Sequence, residues 1–176
     1  VVVIGAGTMG LLNAQAARAL GCRVIVSELM EHKLQVARDM GFAVIDGNAC
    51  DPVEEIKRLT DGKGADAAVL AVAATAVNKQ SLDMVKHLDG RILFFGAAYP
   101  APALDIDSNV IHYRRLELIG TFGADLADFC TAADMLNQGV VQVKKLMEAH
   151  TYPLDQIQDA FAEAATPGKF RVSVLL

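Results

Sequence analysis

The ten residues VVVIGAGTMG, Val1 to Gly10, restrict this chain more than any other stretch. Four apolar β-formers run straight into three glycines, and an alanine-rich segment, LLNAQAARAL, follows. A buried strand over 1–4, a tight turn and a helix over 8–20 satisfy that order, and Gly21 stops the helix. The spacing of GAGTMG is GxGxxG, a pattern with weight only between a strand and a helix, which is its context here. Gly5 allows the turn, Gly7 admits a close ligand, and Gly10 lets the helix lie on the strand. The amides around Thr8 and Met9 face outward from a helix N-terminus and favour an anion such as a pyrophosphate. A plain strand–helix turn would need one glycine rather than three.

The same alternation continues along the chain. Strands are predicted over 23–27, 42–45, 67–72, 91–96 and 116–121. Helices are predicted over 31–40, 52–59 and 78–87, with Asp51 and Pro52 marking one start and Gly41 one stop. A Pro-rich loop, AAYPAPALDID, precedes the sixth strand. Strand, helix of 10–15 residues and strand again is the pattern of right-handed crossovers in a parallel sheet. Continuous apolar strands such as AAVLAV suit a sheet covered on both faces. The expected fold is therefore α/β, a Rossmann-type doubly wound sheet of six parallel strands over 1–123. The remainder, 124–176, reads as helices over 124–139, 142–149 and 154–164, then a final apolar strand over 170–176. The first of these carries a stripe of Leu126, Phe129, Cys130, Ala133 and Leu136.

Glu28 stands eighteen positions after Gly10, just past the second strand. A dinucleotide-binding sheet places an acid there to accept hydrogen bonds from the adenosine ribose. A carboxylate at that point repels a 2′-phosphate, and Leu29 and Met30 offer no arginine to receive one. NAD is favoured over NADP on this ground.

Composition excludes several other classes. The apolar fraction of 53% provides a sizeable core, yet the longest apolar runs fall short of the roughly 20 residues of a membrane span. A net charge of −5 with scattered basic residues argues against a nucleic-acid surface. Three separated cysteines, Cys22, Cys50 and Cys130, suggest buried, reduced thiols in a cytoplasmic protein, with neither a disulfide framework nor a zinc knuckle. The histidines His32, His87, His112 and His150 read as ordinary surface or hydrogen-bonded residues. No Tyr-x-x-x-Lys pair or His–Asp dyad stands at a strand tip, so the chain holds a cofactor without evident acid–base machinery.

The segments VVVIGAGTMGLLNAQAARALG, VIVSELMEHKLQVARDMGF, HLDGRILFFG, LELIGTFG and FRVSVLL, in this order, resemble the medium-chain, zinc-type alcohol dehydrogenases, especially the polyol and threonine dehydrogenases. The resemblance spans nearly the whole chain. It implies an NAD-dependent enzyme that moves hydride between a secondary alcohol or polyol and NAD. A GroES-like domain preceding the first strand would carry the zinc, and 124–176 would return to pack against it. By the same resemblance Lys33 contacts the ribose and Val72 lies beside it. Phe95, Thr121 and Gly123 hold the nicotinamide carboxamide through backbone groups, and Arg171 reaches the pyrophosphate. Two positions depart from the family pattern: Glu28 replaces the usual aspartate, and Ala73–Ala74 stand where a glycine is common. The open edge expected of the sixth strand points to a homo-oligomer, dimer or tetramer. Three other readings stay open: a zinc-free quinone or enoyl reductase using NADPH, a non-catalytic nucleotide sensor, and an S-adenosylmethionine-dependent methyltransferase.

Overall fold

A computed structural model describes all residues, 1–176. The chain begins β1 (Val2–Ile4), α1 (Thr8–Ala19), β2 (Ile25–Glu28), α2 (Glu31–Asp39), β3 (Ala43–Asp46) and α3 (Pro52–Leu59). It continues with β4 (Ala67–Leu70), α4 (Thr75–Met84), β5 (Arg91–Phe94), α5 (Ser108–Arg114) and β6 (Glu117–Gly120). These six strands form one parallel sheet in the order β3-β2-β1-β4-β5-β6, the doubly wound topology expected from the alternation. The chain reverses direction across the sheet between β1 and β4, where crossovers leave from opposite faces and open a crevice.

Alternate residues of each strand feed two separate cores. Val2, Ile4, Ile25, Ala68, Leu70 and Ile92 point to one side and pack with Ile56 of α3, Leu82 and Met84 of α4, and Leu116. Val3, Val26 and Val69 point to the other, against Leu11 and Ala14 of α1 and Ala37 of α2. Local capping agrees with this plan. Asp51 accepts from the Val53 amide at the start of α3, with Pro52 in its first turn. Asp107 caps α5 in the same way, through the Asn109 amide.

The remaining chain comprises α6 (Leu126–Asn137), β7 (Met147–Pro153), α7 (Ile157–Ala164) and β8 (Arg171–Leu175). The helix expected over 142–149 is instead a short 3-10 turn at Lys144–Leu146 followed by β7, which pairs in parallel with β8. Lys, Leu, Met, Glu and Ala are all good helix formers, so local propensity pointed to the wrong state and strand pairing overrode it. Helix α5 is also absent from the expected pattern, lying just beyond the Pro-rich loop. The apolar stripe of α6 exists, but no element of this chain covers it: Leu126 is 79% exposed and Phe129 67%. The expectation of buried thiols fails as well. Cys50, in the loop after β3, and Cys130, on the uncovered α6, are exposed, and Cys22 is half-buried.

Three contacts within residues 142–146 help bind this final third to the sheet. Gln15 of α1 is 1% exposed and pairs twice with the backbone of Gln142, accepting from its N–H and donating to its carbonyl. Leu146 is 1% exposed within the second core. Lys145 donates from Nζ to the Asp39 carbonyl at the end of α2. Within the β7–β8 unit, the Lys169 ammonium lies 2.7 Å from Glu163 and holds that carboxyl below its ordinary range.

The most exacting contact is between α1 and β1. A Cβ added to Gly10 would stand 1.8 Å from the Gly5 carbonyl oxygen and 3.2 Å from Ala71 Cβ. Backbone cannot yield as a flexible side-chain end can, so Gly10→Ala is expected to cost about 1–3 kcal/mol or more of unfolding free energy. Denaturant titration checks this, and unaltered stability would show that α1 does not need the close approach.

Candidate functional site

The candidate site lies at the carboxyl ends of β1, β2 and β4, where a doubly wound sheet opens at its switch point. Gly5 turns the chain out of β1 with φ of +98°, a conformation that side chains other than glycine rarely adopt. Its amide donates to Ser27 O at 2.8 Å, tying the loop to β2. A Cβ on Gly5 would stand 2.6 Å from Val72 Cγ1, so the loop and the segment after β4 are in close contact. Gly7 differs from both other glycines: a Cβ there would meet nothing within 4 Å. The space above it is open, as the approach of a ligand to the backbone requires.

Gly7 is also the N-cap of α1, and no side chain caps the helix. The first amides of a helix have no partner within it, so those of Thr8, Met9 and Gly10 remain available to an external acceptor. They carry the positive end of the helix dipole. A phosphate group matches that arrangement in charge and in acceptor number.

Glu28 ends β2 beside this loop, and its carboxylate is extensively engaged. Oε2 accepts from the Ala6 amide at 2.8 Å, while Oε1 accepts from the Leu29 amide at 2.7 Å and the Met30 amide at 3.1 Å. A carboxylate offers about four acceptor positions, so about one is left for a ribose hydroxyl. The bond to Ala6 gives Glu28 a second task that the sequence did not reveal, that of bracing the glycine loop. The Leu29 carbonyl accepts from Asn48 Nδ2 at 2.6 Å, which secures the adjoining turn.

Between these elements lies a cavity of about 310 Å³, lined by Gly5, Glu28, Leu29, Pro52, Val72 and Val77 among others. Its mostly apolar walls and one carboxylate suit a flat heteroaromatic group joined to a polar sugar. A smaller cleft of about 190 Å³ lies among Lys57, Lys63, His87 and Arg114, residues that precede β4 and β5 or lie outside the switch point.

The other expected residues take varied positions. Lys33 is half-buried on the first turn of α2 and forms no ion pair. Val72 is 38% exposed and forms part of the cavity wall. Phe95 follows β5 and packs partly into the second core. Thr121 and Gly123 follow β6, two strands from β4, and are exposed. Arg171, at the start of β8, extends across to Met9, with Nη2 3.9 Å from its sulfur. The structure thus brings Gly5, Gly7, Thr8, Met9, Gly10, Glu28, Val72 and Arg171 together, and leaves Thr121 and Gly123 at the far rim.

Two buried amides went unnoticed in the sequence, Gln15 and Asn78. Asn78 is 4% exposed and donates from Nδ2 to the Ala103 carbonyl, while the Ala103 amide donates to Thr75 Oγ1. This pair fixes the loop that follows β5 to the start of α4. The only sequence signal is a polar residue on the inward face of α4. Removing the Glu28 brace is expected to release Ala6. In Glu28→Ala the Ala6 and Leu29 amides should exchange hydrogen faster, with about 1–3 kcal/mol of stability lost. Unchanged exchange at Ala6 would contradict the brace.

Comparison with known proteins agrees with this geometry. The sequence profile described as zinc-binding dehydrogenase matches residues 8–138. A sorbitol dehydrogenase of Halalkalibacterium halodurans is 30% identical over 164 residues, covering 92% of this chain and 47% of that protein. A 2-dehydro-3-deoxy-L-galactonate 5-dehydrogenase of Pseudoalteromonas atlantica is 29% identical over 161 residues, covering 92% of this chain and 46% of that protein. The chain therefore spans about half the length of these curated relatives. Among solved structures, a Sinorhizobium meliloti 1021 protein bound to NADP superposes with a TM-score of 0.88 at 26% identity, covering 99% of this chain and 52% of the other. Fold, glycine loop and profile converge, and the chain belongs to the zinc-binding dehydrogenase family.

Proposed function

We propose that this chain binds NAD(H) and forms the cofactor-holding part of a zinc-dependent dehydrogenase acting on a secondary alcohol or polyol. The observation that carries the reading is the uncapped N-terminus of α1 beneath the open face of Gly7, with Glu28 at its side. In this reading the amides of Gly7, Thr8, Met9 and Gly10 hold the pyrophosphate. Glu28 and Lys33 meet the adenosine ribose, and Val72 walls the sugar. Backbone groups at Phe95, Thr121 and Gly123 orient the carboxamide, and Arg171 adds a counter-charge. The nicotinamide, when bound, accepts or donates hydride. The chain's own residues bind and orient it.

The preference for NAD rests on Glu28, whose charge disfavours a 2′-phosphate, and on the lack of arginine at 29–31. The relative solved with NADP supports the alternative, a reductase using NADPH. Zinc is assigned to residues outside these 176. No three His, Cys, Asp or Glu side chains here stand together as a donor set.

In this reading the substrate is a small-molecule alcohol or polyol, which the sorbitol dehydrogenase relative supports. The edge strand β6, with Ile119 39% exposed and Phe122 beyond it, supports a homo-oligomer. No helix is long and apolar enough to cross a membrane. A cytoplasmic site fits three free thiols.

Titration calorimetry with NADH, NADPH and S-adenosylmethionine tests the reading. NADH is expected to bind at least about tenfold more tightly than NADPH, a difference of about 1.4 kcal/mol. A reversed order would favour the reductase, and binding of S-adenosylmethionine alone would overturn the family function for this site.

A further inference from the structure

The turn that leads into β8, residues 166–170, lies against the first turn of α2. Gly168 presents its carbonyl to His32 Nε2 at 2.9 Å. A carbonyl can only accept, so His32 carries its proton on Nε2 and donates. The fit around Gly168 is close on that side. Its φ is +93°, and an added Cβ would meet His32 Cε1 and Met30 Sδ, each at 3.3 Å. Phe170 meets the His32 ring edge-on, with centroids 6.5 Å apart, and packs against the second core.

On its other side the same turn is fixed to its own unit. Lys169 bonds Glu163 and Glu148, and the Phe170 amide donates to Glu148. His32 is therefore the hydrogen bond that joins this turn to the cofactor-binding sheet. The next residue is Arg171, whose guanidinium has no acid partner and lies 3.9 Å from the sulfur of Met9, the second residue of α1. A cation without an acid partner thus lies beside the Met9 side chain, in the first turn of the uncapped helix.

We infer that His32 is a positioning residue for the cofactor: by clasping Gly168 it sets the 166–170 turn so that Arg171 faces the pyrophosphate held on α1. The inference rests on the dinucleotide reading given above and adds to it a residue that touches no part of the ligand. A clasp of this kind affects affinity through the phosphate half of the ligand and leaves the adenosine half alone.

Calorimetry on the full chain with NADH, ADP and adenosine distinguishes the possibilities. In His32→Ala, NADH and ADP should each bind about 2- to 10-fold more weakly, the range of one hydrogen bond, with adenosine unchanged. His32→Gln carries a donor at a similar reach and should restore binding. In an Arg171→Ala background His32→Ala should have no further effect, because both changes remove the same contact. Additive losses, an equal loss for adenosine, or unaltered NADH affinity in His32→Ala would overturn the inference while leaving the dinucleotide reading intact. If Arg171→Ala binds NADH as the wild type does, the Arg171 assignment fails and this inference with it. If the wild type binds no NADH, the dinucleotide reading itself has failed. Hydrogen exchange at Lys169–Arg171 in the ligand-free chain, expected to quicken in His32→Ala, reads the clasp separately.

Discussion

Helix α1 leaves β1 at a distance that no side chain at position 10 would allow, and the candidate site depends on that approach. With Gly10 pressed against the Gly5 carbonyl, the first turn of α1 is fixed directly above the end of β1. The free amides of the helix and the open face of Gly7 then come to the crevice between β1 and β4. Glu28 adds a lateral tie through Ala6, so the loop is held from the helix side and from β2. Preorganisation of this kind lets a site meet an anion without first ordering its own backbone.

The second dependence is between the sheet and the last third of the chain. Gln142, Lys145, Leu146, Gly168 and Phe170 all touch α1, α2 or the core beneath them. The β7–β8 unit is thereby attached along the side of the sheet that carries α1 and α2. Arg171 reaches the glycine loop because of that attachment, although it lies 162 residues beyond Met9 in sequence. The exposed stripe of α6 and the edge of β6 have no comparable partner in this chain.

Much of this was legible in the sequence, for reasons that differ among elements. The six parallel strands follow from apolar runs separated by helices, two of them with clear stops at Gly21 and Gly41, signals that are local and repeated. The glycine loop was legible because its three glycines have separate steric tasks, and Gly10 and Gly7 occupy opposite extremes of crowding. β7 was hidden because its residues favour a helix locally and become a strand only by pairing with β8. Gln15, Asn78 and His32 were hidden for a related reason. Each acts on a backbone group 25 or more positions away, and sequence spacing carries no trace of such partners. Glu28 was recognised for its charge, while its bonds to Ala6, Leu29 and Met30 depend on a carboxylate folding back over the loop.

The central claim is that a dinucleotide pyrophosphate rests on the first amides of α1, flanked by Glu28 and Arg171. Two-dimensional nitrogen–proton NMR of the chain, titrated with NADH, examines those amides one by one. The account predicts the largest shifts at Gly7, Thr8, Met9 and Gly10, saturating together with the Arg171 side-chain signal. Shifts confined to the cleft around Lys57, Lys63 and Arg114, or no saturable change at the glycine loop, would contradict it.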